Sequence, residues 1–175
     1  MSKNSKISQA TSLSELVPVQ EQTSQLEHVQ PTTRRKFLVS SVSSDSHTWN
    51  LVFLQLLIEE HGHQVINLGS CIPQEFLVEQ CLLHKPDVLV ISSVNGHGHI
   101  EGTQLMHAIR QIPELQRLTT VIGGKLGTRG TDNAMYTAGL LEAGFDAVFD
   151  ADSSIPAFVK LLEAPINSPA KECLQ

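Results

Sequence analysis

Residues 37–50 read FLVSSVSSDSHTWN, and this stretch decides the fold of the chain. Its first part, Phe37–Val42, is a short run of apolar and small residues, typical of a strand buried on both faces of a parallel sheet. A polar loop follows, and an apolar pattern of helical period begins at Trp49. The stretch therefore predicts a strand, a loop and a helix in succession, which is the repeating unit of α/β proteins.

The same unit recurs along the rest of the chain. Each later apolar run is short, and a longer segment of helical period follows it, several of them ending near a glycine or a proline such as Gly62, Pro86 or Pro113. Five units in a row predict an α/β fold with a five-stranded, parallel, doubly wound sheet of flavodoxin-like (Rossmann-like) order. The predicted strands are Phe37–Val42, Val65–Leu68, Val88–Ile91, Thr119–Ile122 and Ala147–Phe149.

The helices are recognised by apolar residues of helical period. Residues spaced i, i+3 and i+4 share one face of a helix, so their recurrence marks an amphipathic helix. The residues that mark the five helices are Trp49, Val52, Phe53, Leu56 and Leu57, then Phe76, Leu77, Cys81 and Leu82, then Leu105, Ile109 and Ile112, then Met135, Ala138, Leu140 and Leu141, and finally Ile155, Phe158, Leu161 and Leu162.

The folded domain is expected to span residues 34–164 of the 175. Residues 1–33 are rich in Ser, Thr and Gln and keep no firm apolar period, so we expect a disordered polar tail there. Residues 165–175 are polar and are expected to fray. One domain of ordinary size with two tails is therefore predicted.

Composition argues against several classes of partner. Lysine and arginine number 12 against 18 aspartates and glutamates, a net charge of −6, and no basic block stands out, so no nucleic-acid partner is expected. No stretch approaches the roughly 20 apolar residues of a membrane span, so no membrane partner is expected either. The odd count of cysteines, Cys71, Cys81 and Cys173, fits a reducing compartment and predicts a cytoplasmic protein.

The loop after the first strand contains Asp45 and His47. Residues two apart in an extended segment point the same way, so the two side chains can meet. A carboxylate that accepts a hydrogen bond from one imidazole nitrogen leaves the other nitrogen free for a metal. The alternative is that Asp45 caps the first helix and His47 is simply exposed.

Two further loops follow strands at the edge where doubly wound sheets bind ligands. Residues 92–94 read SSV after strand three, and residues 123–124 read GG after strand four. Small residues there let a ligand approach the backbone closely, although ordinary turns have the same composition. His97 and His99 are interpreted as solvated loop histidines, because no third and fourth metal ligand is evident.

Taken together, the three loops resemble the signature of cobalamin-binding domains, whose usual form is Asp-x-His-x-x-Gly, then Ser-x-Leu, then Gly-Gly. Within that family the chain is most similar in plan to the small, freestanding cobalamin-binding subunit of glutamate mutase, also called methylaspartate mutase. Further matches are VSSVSSD at residues 39–45, VINLG at residues 65–69 and GFD at residues 144–146. The resemblance covers residues 35–163.

The resemblance implies a role for each matching residue. His47 would bind the cobalt as the lower axial ligand in place of the cofactor's own base, and Asp45 would orient it. Ser92 would reach a nitrogen of the displaced base, and Gly123 with Gly124 would admit the nucleotide tail. The full set of implied cofactor-binding residues is Ser44, Asp45, Ser46, His47, Thr48, Ser92, Ser93, Val94, Gly123, Gly124, Lys125, Leu126 and Gly127, with no catalytic residue among them.

Two positions depart from the family pattern. Asn50 stands where the family usually has glycine, so its amide would either crowd the nucleotide tail or cap the first helix. Val94 stands in place of leucine, a loss of about one methylene and roughly 1 kcal/mol of burial.

The function that the resemblance implies is that of an isomerase subunit with adenosylcobalamin as cofactor. The reaction would be the radical interconversion of L-glutamate and 3-methylaspartate, active only in a complex with a large barrel subunit that holds the substrate. The alternatives are a corrinoid carrier for methyl transfer and a cobalamin-binding sensor module. Carriers usually have a helical cap domain, and the residues before the first strand are too few and too polar for one.

Overall fold

Five apolar runs form five parallel strands, and a helix follows each of them, so the predicted order of elements is confirmed. The computed structural model describes residues 34–128, 133–150 and 154–164, and the predicted tails, residues 1–33 and 165–175, lie outside the described residues. The strands are β1 (Lys36–Ser41), β2 (Gln64–Gly69), β3 (Val88–Ser93), β4 (Thr119–Gly124) and β5 (Ala147–Asp150), and the helices are α1 (Trp49–Glu60), α2 (Gln74–His84), α3 (Gly98–Arg110), α4 (Asn133–Ala143) and α5 (Ser154–Glu163), with a 3-10 turn at Pro113–Leu115.

The sheet has the order β2-β1-β3-β4-β5, which confirms the flavodoxin-like prediction. The order reverses between β1 and β3, so their carboxyl ends border the crevice where this fold binds ligands. The register aligns the loops across that edge, because Ser41 pairs with Ser92 and Ser92 pairs with Gly123. The three loops selected from the sequence therefore begin side by side.

Helices cover both faces of the sheet. Leu51 and Ile58 of α1 pack with Phe158 of α5 on one face, whereas Leu77 of α2 and Leu105 of α3 pack on the other. This two-sided burial explains why the strands read as continuous apolar runs. In the part of the chain that the structure describes, no helix is long and apolar enough to cross a bilayer.

Helix α1 forms where its apolar period predicted it, but four of the five residues that marked the period are exposed. The helix is apolar almost all round, so a 3.6-residue period fits two different stripes, and the one through Leu51 and Ile58 is buried. Trp49 instead leaves 83% of its surface exposed. The other residues of the predicted helical periods that lie exposed are Val52, Phe53, Leu56, Phe76, Leu82, Met135, Ala138, Leu141 and Ile155.

The interpretation of His99 as a solvated loop residue is also wrong. Helix α3 begins at Gly98, so His99 lies in its first turn. The His99 Nδ1 atom lies 2.9 Å from the Leu126 carbonyl oxygen, and its ring packs on Tyr136 with the ring centroids 4.2 Å apart. His97 is exposed, in agreement with the prediction. The pairing with Leu126 ties the loop after β4 to α3.

A buried polar cluster joins the opposite edge of the sheet to the end of α5. The Arg35 guanidinium donates hydrogen bonds to the carbonyl oxygens of Leu161 at 2.5 Å and Leu162 at 2.7 Å. His63 is buried, accepts a hydrogen bond from the Arg35 N–H at Nδ1 (3.4 Å) and has Nε2 2.9 Å from the Leu162 oxygen. His63 is therefore neutral, with its proton on Nε2.

Acidification should weaken this cluster. Burial holds the pKa of His63 below its usual value of 6.5, although the bond to Leu162 works in the other direction. Because the pKa of His63 is lowered in the folded chain, the unfolded chain takes up the proton first as pH falls. The contribution of neutral His63 to the free energy of unfolding is therefore complete above pH 6.5 and is lost as pH falls through the folded pKa. We expect the free energy of unfolding in urea to fall between pH 7 and pH 5, and to fall less steeply in His63→Gln. An equally steep dependence in the variant would contradict this account.

Candidate functional site at the carboxyl edge of the sheet

The loop after β1 brings Asp45 and His47 together, as the spacing predicted. The Asp45 Oδ1 atom lies 2.7 Å from His47 Nδ1 and also accepts a hydrogen bond from the His47 N–H at 3.0 Å. The two side chains differ sharply in environment, since Asp45 is 1% exposed and His47 is 59% exposed. A buried carboxylate thus holds an imidazole that faces solvent.

The ionisation of Asp45 determines which imidazole nitrogen is available. Burial alone would raise the pKa of the Asp45 carboxyl, but hydrogen bonds from His47, Val94 and Asn95 outweigh it and hold the pKa below its usual value. An ionised carboxylate only accepts, so the proton of His47 lies on Nδ1. The Nε2 lone pair is therefore free to bind a metal ion.

The second oxygen of Asp45 connects two loops. Asp45 Oδ2 accepts hydrogen bonds from the backbone N–H of Val94 at 2.6 Å and of Asn95 at 3.2 Å, both in the loop after β3. The Asp45 carbonyl oxygen accepts from the Ser41 hydroxyl at 2.8 Å and from the Cys71 N–H at 3.0 Å. The alternative reading of Asp45 as a cap of α1 is wrong, because the residue preceding that helix is Thr48 and has no side-chain cap.

A cavity of about 370 Å³ opens beside this loop, between the sheet and helices α1 and α5. Its walls are mostly apolar and carry a few polar groups, which is the usual make-up of a small-molecule site. Asn50 lies on its rim three residues after His47, so the cavity and the exposed imidazole are neighbours. The cavity is lined by Asn50, Phe53, Leu54, Val90, Ile91, Ser92, Val94, Val121, Ile122, Gly123, Gly124, Lys125, Phe149, Ile155 and Phe158.

The paired glycines after β4 allow close packing at the cavity floor. Gly124 has a φ of +108°, which side chains rarely adopt, and a Cβ there would collide with the Ser93 carbonyl oxygen. A Cβ on Gly123 would lie 3.1 Å from the Cβ and carbonyl oxygen of Phe149. The backbone itself therefore requires glycine at position 124, whereas at position 123 a side chain would be crowded by Phe149.

The structure divides the residues proposed from the sequence into three groups. Asp45 and His47 form the pair described above, and Ser92, Val94, Gly123, Gly124 and Lys125 line the cavity. The remaining six do not line it. Ser44, Ser46 and Thr48 are exposed on the β1–α1 loop, while Ser93 at the end of β3 and Leu126 and Gly127 in the loop after β4 are buried.

Asn50 occupies the rim of the cavity and does not cap α1. The helix begins at Trp49, so Asn50 is its second residue. Its side chain makes no hydrogen bond to the rest of the described chain and lines the cavity with Phe53 and Leu54. Of the two roles considered for this departure from the family pattern, the geometry favours contact with whatever fills the cavity.

Sequence reasoning missed several residues of the site. Phe149 and Phe158 form apolar walls of the cavity, and their role follows only from the packing of β5 and α5. Glu101 accepts hydrogen bonds from Ser43 and Ser44 on the β1–α1 loop. The sequence contains one signal for Glu101, namely its position as an acidic residue in the first turn of α3, the helix after the candidate loop that follows β3.

Comparison with known proteins agrees with this architecture. A family model described as the B12 binding domain matches residues 35–159. Glutamate mutase sigma subunit 1 of Haloarcula marismortui is 27% identical over 141 residues, which is 81% of this chain and 92% of that protein. Among solved structures, a cobalamin-binding protein from Desulfitobacterium hafniense has a TM-score of 0.60 at 16% identity over 76% of this chain. The monomethylamine corrinoid protein of Methanosarcina barkeri has a TM-score of 0.58 at 21% identity over 78% of this chain. This chain spans 60% of each of those two, and the likeness concerns the fold.

The need for glycine at position 124 can be tested against a matched glycine elsewhere. Gly124→Ala should lower the free energy of unfolding by about 2 kcal/mol or more, since it adds left-handed strain and overpacking. Gly139→Ala in α4, where a Cβ meets nothing within 4 Å, should raise it by about 0.5–1 kcal/mol through helix propensity. Urea unfolding of both variants measures the difference. Equal effects of the two substitutions would contradict the packing described at Gly124.

Proposed function

The chain belongs to the B12-binding domain family, and we propose from this premise that it is the cobalamin-binding subunit of an adenosylcobalamin-dependent carbon-skeleton mutase. The observation that carries the proposal is the Asp45–His47 pair, 2.7 Å apart, beside an apolar cavity at the carboxyl edge of the sheet. The exposed imidazole and the cavity suit two different parts of cobalamin, namely the cobalt and the nucleotide tail.

His47 would supply the lower axial ligand. With the proton of His47 held on Nδ1 by Asp45, the Nε2 lone pair is left free, and the 59% exposure of the side chain would give a corrin ring access to it. Hydrogen bonding to a carboxylate raises the basicity of an imidazole and restricts its rotation, and both effects strengthen a metal–nitrogen bond. The pair therefore prepares His47 for cobalt before the cofactor arrives.

The cavity would hold the displaced base and its nucleotide tail. Val90, Val121 and Phe149 present apolar surface to a flat aromatic base, and the Ser92 hydroxyl offers it a hydrogen bond. Lys125 lies exposed beside the cavity, where its charge would favour the tail phosphate. The residues present therefore fit a base-off cobalamin, whose base has left the cobalt.

The reaction proposed is the interconversion of L-glutamate and 3-methylaspartate. Adenosylcobalamin supplies a carbon-centred radical for such rearrangements when its cobalt–carbon bond breaks homolytically. The support for this reaction is the similarity to a protein named as a glutamate mutase sigma subunit, at 27% identity over 92% of its length. A separate large subunit, a barrel that holds the substrate, would complete the enzyme, so this chain alone would be inactive.

Electron paramagnetic resonance of the chain with cob(II)alamin tests the axial ligand. We expect splitting from one imidazole nitrogen, its loss in His47→Ala, and binding about 10–100-fold weaker in Asp45→Ala, the usual effect of removing the partner of a metal-ligating histidine. His61→Ala is the control, because that histidine lies at the far end of α1.

The outcomes separate the functions considered. A spectrum that retains the cofactor's own base, or shows no axial nitrogen, would refute the assignment of His47. Formation of 3-methylaspartate on addition of adenosylcobalamin and a glutamate mutase large subunit supports the mutase, with His47→Ala as the inactive control. Methyl transfer without that rearrangement would favour the corrinoid carrier.

Asn50 gives a prediction specific to this chain. Because its side chain lines the cavity, Asn50→Gly should enlarge the path of the nucleotide tail and tighten cobalamin binding by about fivefold, which corresponds to the relief of roughly 1 kcal/mol of overpacking. Val52→Gly, on an exposed face of the same helix, controls for the loss of helix propensity. Titration with hydroxocobalamin measures both, and unchanged or weaker binding in Asn50→Gly would show that the amide is accommodated.

A further inference from the structure

Helix α3 places a carboxylate against the loop that carries His47. Glu101 lies in the first turn of α3, and its Oε2 accepts hydrogen bonds from the Ser43 hydroxyl at 2.6 Å and from the Ser44 N–H at 3.1 Å. Its other oxygen accepts from the Ser44 hydroxyl. One side chain from a neighbouring helix therefore holds both residues that precede Asp45.

Asn95 closes this network from the other side. Its side-chain amide donates to the Ser44 hydroxyl oxygen at 2.8 Å, and its backbone N–H donates to Asp45 Oδ2 at 3.2 Å. The Ser44 hydroxyl thus donates to Glu101 and accepts from Asn95 at the same time. Hydrogen bonds with α3 and with the β3–α3 loop therefore hold the β1–α1 loop in place.

Val42, at the start of the loop, is its one apolar side chain and is buried in the core. Ser43, Ser44, Ser46 and Thr48 are exposed and bring no apolar side chain to the core. Hydrogen bonds must therefore offset the conformational entropy that the loop loses when it adopts one shape. Between β1 and His47, the described chain supplies these bonds through Asp45, Glu101 and the side chain of Asn95.

The charge of Glu101 suits this role. Burial alone would raise the pKa of the Glu101 carboxyl, but the hydrogen bonds from Ser43 and Ser44 outweigh it and hold the pKa below its usual value. The ionised group accepts at both oxygens and lies at a helix N-terminus, where a negative charge is stabilised. Donors and acceptors at this contact are therefore matched.

We propose that Glu101 is a positioning residue for His47: through the hydrogen bonds that it accepts from Ser43 and Ser44, it holds the β1–α1 loop in the shape that presents the imidazole to cobalt. This inference rests on the proposed function, because it needs His47 as the ligand. Glu101 itself does not touch the cofactor. Its effect is on how much of the time His47 is correctly placed.

Three variants separate positioning from general damage. Glu101→Ala removes every contact with the loop. Glu101→Gln can keep its amide oxygen on the Ser43 hydroxyl and the Ser44 N–H while its NH₂ group donates to the Ser44 hydroxyl oxygen. Glu79→Ala, an exposed glutamate within α2, is the matched control for losing a glutamate from a helix surface.

Two measurements apply to all three variants and to the parent. Hydrogen–deuterium exchange of the cobalamin-free chain reports on residues 43–48, and we expect it to be about tenfold faster in Glu101→Ala alone. Titration with cob(II)alamin, followed by electron paramagnetic resonance, should show about tenfold weaker binding and partial loss of the imidazole splitting in Glu101→Ala, the low end of the effect of outer partners of metal ligands. Glu101→Gln should keep most of the slow exchange of residues 43–48 and most of the affinity and imidazole splitting of the parent.

Each result supports or overturns the inference. If Glu101→Ala shows the same hydrogen–deuterium exchange and the same imidazole splitting as the parent, the positioning role of Glu101 is overturned, while His47 remains the ligand. If exchange and cobalamin binding in Glu101→Gln are as impaired as in Glu101→Ala, the charge of Glu101 matters and its hydrogen bonds do not. That result also overturns the positioning role. Absence of imidazole splitting in the parent would refute the proposed function and this inference with it.

Discussion

The carboxylate of Asp45 is buried at the point where the strand order reverses, and four hydrogen bonds converge on its two oxygens. They come from the N–H and the ring of His47 and from the backbone of Val94 and Asn95. Burying an ionised carboxylate without these donors would cost free energy of folding. The loop after β3 must therefore lie against the loop after β1 so that its N–H groups reach Asp45. This one group thereby sets the shape of both loops and the tautomer of the exposed imidazole.

The cavity depends on a second constraint, the close approach of β3 and β4 at their carboxyl ends. The register pairs Ser92 with Gly123, and the backbone at Gly124 turns with a positive φ against Ser93. Only glycine permits that turn without strain. The resulting floor leaves open an apolar space between the sheet and α1, bounded on the far side by Phe158 of α5. The cavity therefore follows from strand packing more than from any single polar residue.

The two ends of the sheet carry different kinds of polar cluster. At the amino end, Arg35 and His63 bind the last carbonyl oxygens of α5 and serve the fold. At the carboxyl end, Asp45 and Glu101 hold a loop whose other side chains are exposed from Ser43 onward. The second cluster contributes order to residues 43–48, which pack no apolar side chain in the core, and this order is what a pre-organised imidazole requires.

The sequence by itself determined the five β–α units and the Asp45–His47 pair, because strand and helix periods and a two-residue spacing are local properties of the chain. The sheet order followed from the rule for doubly wound α/β folds and not from any local pattern. Local pattern was not enough for α1, whose apolar residues fit two stripes. Only the position of the sheet decided that Leu51 is buried and Trp49 is exposed. The same holds for Glu101, which lies 58 residues from Ser43, and for the walls of the cavity at Phe149 and Phe158. Contacts of that kind depend on which elements the fold brings together, and no spacing along the chain encodes them.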